Sequence, residues 1–406
     1  MTYKNTKLRS QEPEPLDYVI MLLLIAGTGF DWCFNYKPML FFIIFPLTFF
    51  LYLKRQPKIN WGIILFFLVY ILWAIFQSVT NTAWSALITL FVRLIICVFI
   101  VVTIRDFPKL VIKIMVWISI VSLFMYFITM IPSVQSLFRS YCGGWKPIGG
   151  IDPEFTSNPG VSMGFYFMSD GHGVSRFRNS GPFWEPGMFG VFIGIALTLQ
   201  ILRDRHLTRD SYILIAAGIS TLSTTTYVSL FVILSYYTIF IIRNKKAVLL
   251  VPIIAVGLIA FLNSDFGLSK IQDDVADDGT ASRFGAIAYH LSLIAENPLV
   301  GRGYASGQGQ ALLSPNGLTW IYVFWGIPVG VMYYVCLFYG AKKLCENFNR
   351  RYLLSNTWVL FLIMMLLSFS QDVTLRDFYM VVAVYAFHSI KIREKYQSNL
   401  NTLWYN

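Results

Sequence analysis

Apolar stretches of roughly 17 to 25 residues recur along almost the whole chain, separated by short polar segments. An α-helix of this length matches the thickness of the hydrocarbon core of a bilayer. The pattern therefore predicts an all-α polytopic membrane protein with about twelve transmembrane helices. The predicted spans lie near residues 16–31, 38–53, 61–79, 84–104, 110–131, 187–202, 210–222, 225–242, 247–263, 316–340, 355–370 and 377–391.

Two long segments interrupt this pattern and divide the chain. We expect membrane helices 1 to 5 in residues 1–131, a large loop in 132–186, and membrane helices 6 to 9 in 187–263. A second loop segment with a short helix follows in 264–314, and 315–406 holds membrane helices 10 to 12 and a tail. Function is expected in the two loop segments, because non-helical backbone near a bilayer must be held by protein or face water.

Composition and charge exclude two classes of protein. Only 13% of the 406 residues are charged and 56% are hydrophobic, whereas soluble domains carry about 25% charged residues. The net charge of +11 does not indicate nucleic-acid binding, since 22 of the 32 Lys and Arg residues fall on one side of the predicted topology and nine on the other. Cytoplasmic loops carry such an excess, so we expect both termini in the cytoplasm and no nucleic-acid partner.

The large loop ends in a motif with two arginines and one acid, the run Ser175-Arg176-Phe177-Arg178-Asn179-Ser180-Gly181-Pro182-Phe183-Trp184-Glu185-Pro186-Gly187. Pro186 suits the first turn of a helix, which places Glu185 at the helix cap. Two interpretations are open. Glu185 caps the helix while the arginines extend toward water, or Arg176, Arg178 and Glu185 form an anion-binding mouth at the membrane surface.

The second loop segment contains an acidic run and then a short helix. Asp273-Asp274-Val275-Ala276-Asp277-Asp278 has the spacing of a magnesium motif, but its Gly-flanked setting favours a solvated loop, and we predict no metal site. Arg283 falls in the first turn of the helix, where it opposes the helix dipole but suits an anion bound at the exposed N–H groups. His290 projects from nearly the same side, and both packing and catalysis are open for it.

Four short motifs occur in order along these segments: Arg176 followed by ten residues and Gly187, then Ser282-Arg283, the turn at 297–303, and the Gly- and Pro-containing stretch at 326–330. Together they resemble the Wzy-type O-antigen polymerase and O-antigen ligase superfamily. The resemblance implies a GT-C-type glycosyltransferase of the bacterial inner membrane, acting on its periplasmic side. It implies transfer of a growing glycan from undecaprenyl diphosphate onto a lipid-linked repeat unit, with inversion and without metal or cofactor. A chain-length regulator and a flippase of the same pathway are implied as candidate partners.

The resemblance also implies which residues bind the donor. Negative charge grows on the diphosphate as the glycosidic bond breaks, and guanidinium groups fixed in a partly dry pocket stabilise that charge. We expect Arg176, Arg178 and Arg283 to bind this diphosphate, with Arg302 as a further candidate.

The acceptor hydroxyl must lose a proton, and the base is open. Glu185 is the first choice, because a carboxylate in reach of a sugar hydroxyl acts as a general base, and His172 and His290 are the alternatives. Ligases of the superfamily use a His beside an Asn at the start of the span after the second loop, whereas this chain has Pro315-Asn316. That difference favours a polymerase over a ligase and keeps Asn316 as a substrate-binding candidate.

Arg93 lies near the middle of a predicted span, where an exposed charge costs at least about 2.5 to 3.5 kcal/mol. It either pairs with an acid inside the bundle or lines a cavity for the phosphates of the lipid carrier. Tyr304, Trp320 and Tyr322 are candidates for stacking on sugars.

Two questions stay open on the sequence. Cys33 and Cys142 are the cysteines on the outer side, where an oxidising compartment permits a disulfide. A transporter or flippase of lipid-linked oligosaccharides is the alternative from another class of protein. It explains the spans and Arg93, but it does not require two long loops with convergent arginines.

Overall fold

The computed structural model of the chain is predominantly helical, and it describes residues 12–30, 33, 37–81, 84–142, 161–162, 167–171, 174–242, 251–252, 255–256, 259, 263, 283–303, 316–348 and 354–388. The described helices are α1 (Pro15–Gly29), α2 (Lys37–Arg55), α3 (Trp61–Asn81), α4 (Trp84–Thr103), α5 (Phe107–Thr129), α6 (Pro132–Cys142), α7 (Pro186–Asp204), α8 (Arg209–Ser220), α9 (Thr224–Tyr236), α10 (Arg283–Glu296), α11 (Gly317–Phe348), α12 (Leu354–Ser370) and α13 (Asp377–Val384). Helices therefore lie at eleven of the predicted span positions, and most of residues 247–263 falls outside the described part.

Four helical segments of the described residues are long and apolar enough to cross a membrane, judged by length and composition. They are Phe107–Thr129, Pro186–Asp204, Thr224–Ile242 and Gly317–Glu346, the last of which is interrupted at Gly326. Shorter apolar helices accompany them, including Pro15–Gly29 and Leu354–Ser370. The chain is therefore a helical membrane protein.

A small antiparallel sheet lies in the large loop, which the all-α prediction did not include. It consists of β1 (Val161–Ser162), β2 (Phe167–Gly171) and β3 (Val174–Gly181), in that order. The β2–β3 pairing sets Ser169 opposite Arg178 and Met168 opposite Asn179. The sheet thereby fixes the backbone of the arginine-containing motif directly before α7.

Helix α7 forms the centre of the bundle and packs against α5, α8, α9 and α12. Nearly all of its residues are buried, in keeping with an apolar sequence that shows no polar face. At its start, Phe183 stacks on Phe189 and Phe192 with ring centroids 5.3 and 5.2 Å apart. This aromatic stack anchors the chain where the loop enters the bundle.

The two ends of the bundle differ in charge, and the first is named here the Glu14 end. Glu14 forms ion pairs with Lys54 at 3.0 Å and Arg105 at 2.8 Å, while Arg55 pairs with Asp17 at 2.7 Å. The hydrogen bond from Lys54, together with the charges of Arg55 and Arg105, lowers the pKa of Glu14 to about 2. This network ties the start of α1 to the ends of α2 and α4.

The opposite end, named the Glu185 end, contains the start of α7 and the last turn of α1. The backbone N–H of Trp184 donates to the carbonyl of Gly29 at 3.4 Å, and Phe30 forms a β-bridge with Phe183. The end of α8, the end of α12 and the start of α11 also lie here, as the site contacts below establish. Polar groups from five helices therefore share one end of the bundle.

Helix α11 folds back on itself at Gly326, so the predicted span at 316–340 is not one straight helix. Gly326 has φ 75° and ψ 170°. The hydroxyl of Tyr334 donates to the carbonyl of Leu318 at 2.5 Å, and the Tyr322 and Tyr334 rings lie 5.6 Å apart. A straight helix would separate residues 318 and 334 by about 24 Å.

The turn at 297–303 packs into this fold and binds the backbone groups that the break exposes. The N–H groups of Arg302 and Gly303 donate to the carbonyls of Val323 and Phe324 at 2.8 and 3.1 Å. The N–H of Ile327 donates to the carbonyl of Pro298 at 2.8 Å. The second loop segment and α11 are thus joined by backbone hydrogen bonds, as a broken helix near a bilayer requires.

Candidate functional site

Arg178 is held in place inside the protein at the Glu185 end. It is 7% exposed, and its Nε–H donates to the carbonyl oxygen of Thr221 at 3.3 Å, at the turn between α8 and α9. This contact fixes the plane of the guanidinium group, whose fork of N–H donors suits phosphate oxygens. The motif predicted from sequence therefore places one arginine in a buried position.

Asn179 ties the same strand to two helices, a role that the sequence analysis did not assign. Its Oδ1 accepts from the hydroxyl of Ser122 at 2.6 Å and from the N–H of Gly181 at 3.0 Å. Its Nδ2 donates to the hydroxyl of Ser220 at 2.8 Å. Since Asn179 is fully buried, these bonds fix the position of its neighbour Arg178 relative to α5 and α8.

Glu185 is the residue before the first turn of α7, as the sequence predicted, and Pro186 begins the helix. Its carboxylate makes no capping hydrogen bond to the helix, so simple helix capping does not account for it. Its Oε1 lies 3.8 Å from the point where a Cβ would stand at Gly187, and that point would collide with the amide of Gln371. Gly187 thus lets the side chains of Glu185 and Gln371 approach over the start of α7.

The loop between α12 and α13 completes this end of the bundle, and sequence reasoning missed it. Arg376 pairs with Asp372 at 2.8 Å and lies over the Trp184 ring, 4.9 Å from the ring centroid. The signal was the polar run at 370–377 between two apolar stretches, which looked like an ordinary short turn. The loop adds one acid and one base to the Glu185 end of the bundle.

His290 and Asn316, both predicted as candidates, are brought together through Thr319. His290 Nδ1 lies 2.5 Å from the Thr319 hydroxyl, and Asn316 Oδ1 accepts from the Thr319 N–H at 3.4 Å and the Leu318 N–H at 3.0 Å. Asn316 therefore caps the start of α11, and the ring of His290 packs edge-on against Trp320. Both side chains are fully buried, which supports the packing interpretation of His290.

The environment of His290 also makes it a weak base. Burial lowers the pKa of His290 to about 4, against a smaller opposing effect of the Asp372 carboxylate. Among the described residues, its Nε2 has no hydrogen-bond partner. The imidazole is therefore neutral at neutral pH and has a low affinity for a proton.

Arg93 and Arg302 are both paired with acids. Arg93 Nε lies 2.5 Å from Asp377 Oδ1, and its Nη2 donates to the carbonyl of Leu375 at 2.6 Å. Arg302 forms an ion pair with Glu296. Of the two interpretations given for Arg93, the geometry favours pairing inside the bundle.

The remaining predicted site residues are located only in part. Arg176 lies in β3 and Arg283 is the first residue of α10, but their side chains fall outside the described part of the structure. His172, Tyr304 and the acidic run at 273–278 lie wholly outside it. The meeting of Arg176, Arg178 and Arg283 therefore stays a prediction. Cys33 is buried, and the side chain of Cys142 falls outside the described part, so the disulfide between them stays an open question.

Comparison with models of known protein families, with curated proteins and with solved structures finds no match to this chain. The class that the fold defines is a helical membrane protein. One end of its bundle combines a buried arginine, a helix-start carboxylate and a further Asp–Arg pair.

Proposed function

We propose that this protein is a GT-C-type glycosyltransferase of the bacterial inner membrane, a Wzy-like polymerase with about twelve transmembrane helices and cytoplasmic termini. In this proposal it transfers the growing glycan from undecaprenyl diphosphate onto a lipid-linked repeat unit. The Glu185 end faces the periplasm and the Glu14 end faces the cytoplasm. The bases at the Glu14 end, Lys54, Arg55 and Arg105, support this orientation through the positive-inside rule.

One observation supports the proposal above the others. Arg178 is buried, fixed through the Thr221 carbonyl, and carried on the same strand, turn and helix start as Glu185. A guanidinium group in a poorly hydrated position acts on a developing anion more strongly than one in water. A fixed cation and a carboxylate on one short segment of the chain suit a reaction that needs both an anion-stabilising group and a base.

The chemistry assigns one task to each group. The oxygen of an acceptor hydroxyl attacks the anomeric carbon of the donor, and the bond from that carbon to the diphosphate oxygen breaks. Undecaprenyl diphosphate leaves with the electron pair, and Arg178, with Arg176 and Arg283, stabilises its charge. Glu185 takes the hydroxyl proton, because His290 is fully buried and its Nδ1 is bonded to the Thr319 hydroxyl, out of reach of a sugar.

Reconstitution with lipid-linked repeat units tests the proposal. Purified protein in liposomes should lengthen the glycan without nucleotide sugar, read as a ladder on a gel. Arg178→Ala should lower the rate at least about 100-fold, the scale of losing one donor to a developing oxyanion. Arg178→Lys should lower it less, because the charge stays while the fork is lost.

Arg203→Ala is the matched control, since Arg203 pairs with Asp204 at the other end of α7 and should leave the rate unchanged. If Arg178→Ala lowers the rate of glycan elongation only twofold, the donor diphosphate does not bind at this position. Failure of the wild-type protein with authentic substrate, together with transport of that substrate across the liposome, would favour the flippase instead.

A further inference from the structure

An apolar groove runs along the flank of the bundle between α1 and α5. Its volume is about 450 Å³, and its walls include Tyr18, Leu22 and Phe30 on the α1 side and Trp117, Val121 and Ser122 on α5. The α1 wall extends from residue 18 to residue 30, which corresponds to about 18 Å along a helix axis. The groove thus follows more than half of the depth of a hydrocarbon core of about 30 Å.

The groove opens sideways, toward the surroundings of the bundle. Trp117 is 69% exposed, and Leu22 and Val121 are exposed by 42% and 48%. The outer flank of a membrane protein faces lipid rather than water, so an apolar groove on it suits a hydrocarbon chain. A lipid with its hydrocarbon chain in the groove would have its polar headgroup at one end of the groove, so the chemistry of the two ends decides where the headgroup lies.

At the Glu185 end, the groove reaches the segment that carries the proposed site. Ser122 and Pro182 line it there, and the Ser122 hydroxyl donates to Asn179, the residue next to Arg178. Phe30, another lining residue, packs edge-on against Phe183 with centroids 5.0 Å apart. An occupant that leaves the groove at this end therefore emerges beside β3 and the start of α7.

The other end differs in chemistry. Tyr18 lines it, and the ammonium group of Lys113 lies 5.9 Å from the Tyr18 ring centroid. Both residues lie within two turns of the starts of α1 and α5, on the Glu14 end of the bundle. The groove therefore joins the two ends of the protein along one flank, with the Lys113 ammonium at the Glu14 end and the segment from β3 to α7 at the Glu185 end.

We infer that the α1–α5 groove holds the isoprenoid chain of a lipid diphosphate, with its headgroup at the Glu185 end beside the segment from β3 to α7. The inference rests on the proposed function, which supplies the lipid diphosphate as donor. It adds a site for the chain, formed by residues that none of the sequence motifs include. The groove orients the chain along the bundle and directs the diphosphate toward β3.

A photoreactive polyprenyl diphosphate without sugar, carrying a diazirine on its chain, tests this in liposomes. Labelled peptides should come from α1 and α5, and excess unlabelled polyprenyl diphosphate should compete, whereas phosphatidylglycerol should not. Val121→Trp fills the groove and should lower the labelling at least about fivefold. Ile120→Trp is the matched control, because Ile120 is 38% exposed on the same helix but does not line the groove.

Each other outcome overturns the inference. If the labels fall on other helices, the isoprenoid chain binds elsewhere. If phosphatidylglycerol competes equally well, the groove is a general contact surface for lipids. Cross-links between two copies of the protein at α1 and α5 make it a dimer surface. The Leu22→Trp variant on the facing helix repeats the test if Val121→Trp does not fold.

The measurement separates this inference from the proposed function, because labelling requires no sugar transfer. If α1 and α5 are labelled specifically but the protein lengthens no glycan, the inference about the groove stands and the polymerase proposal fails. If the protein lengthens glycans but is labelled on other helices, the polymerase proposal stands and the inference about the groove fails.

Discussion

Replacing Gly326 by alanine is the most direct test of the folded-back helix α11. Gly326 has φ 75° and ψ 170°, a region of backbone conformation that is essentially restricted to glycine. A Cβ at this position would collide with the carbonyl oxygen of Leu299 in the turn at 297–303. Because that neighbour is backbone, the turn itself has to move.

The expected loss of stability follows from two contributions. A non-glycine residue in this conformation costs about 1 to 3 kcal/mol. Displacing the turn weakens the three backbone hydrogen bonds that join it to Val323, Phe324 and Ile327, each contributing roughly 0.5 to 1.5 kcal/mol. We therefore expect Gly326→Ala to lower the free energy of unfolding by about 2.5 to 7.5 kcal/mol.

Unfolding in mixed micelles with increasing dodecyl sulfate, followed by circular dichroism, measures the change. Gly27→Ala is the control, since Gly27 lies inside α1 and a Cβ there would meet only Leu40 Cδ1 at an ordinary 3.4 Å. That variant should be neutral or up to about 1 kcal/mol more stable, as alanine favours a helix over glycine. If the free energies of unfolding of the two variants differ by less than about 1 kcal/mol, helix α11 is not broken at Gly326 as described.

Three further predictions concern titration, a buried ion pair and the site. The folded-state pKa of His290, about 4, lies below its unfolded value of 6.5, so the unfolded state binds the proton first. The free energy of unfolding should be highest above pH 6.5 and should fall by about 3 kcal/mol as the pH drops toward 4. In His290→Asn, the free energies of unfolding measured at these two pH values should no longer differ by this amount. Arg93→Met should cost about 3 to 5 kcal/mol because it leaves Asp377 buried without its cation, and adding Asp377→Leu should recover most of that loss in the same assay. Gly187→Ala should stop glycan elongation by displacing Gln371, whereas Gly27→Ala should not. If the two variants elongate glycan at equal rates, the start of α7 is not part of the site.

The positions of the helices followed from hydrophobic patterning because lipid-length apolar stretches have few alternatives to a helix. Pro186 marked the start of α7, since proline fixes the backbone for a first helical turn. The fold of α11 did not follow, although Gly326 and Pro328 interrupt its sequence. A break of this kind depends on hydrogen-bond partners 21 to 29 residues away in the chain, which no local pattern contains.

The candidate site was predictable to a similar extent. The motif around Arg178 and Glu185 was recognisable because arginines and an acid stand out between apolar segments. Asn179, Gln371 and Arg376 were not, because each depends on contacts between elements far apart in sequence. Short polar turns such as the one at 371–376 look alike in sequence whether or not they lie over a site.

The pairing of Arg93 with Asp377 has a consequence for biosynthesis. The two residues are 284 positions apart, so at about 5 to 20 residues per second the ribosome needs roughly 15 to 60 s to deliver the carboxylate after the guanidinium. During that interval α4 resides in the bilayer with a charge that costs about 2.5 to 3.5 kcal/mol at a helix centre. The nascent protein therefore holds Arg93 in α4 without the Asp377 carboxylate until α13 is synthesised, so the N-terminal helices reach their full stability only late in synthesis.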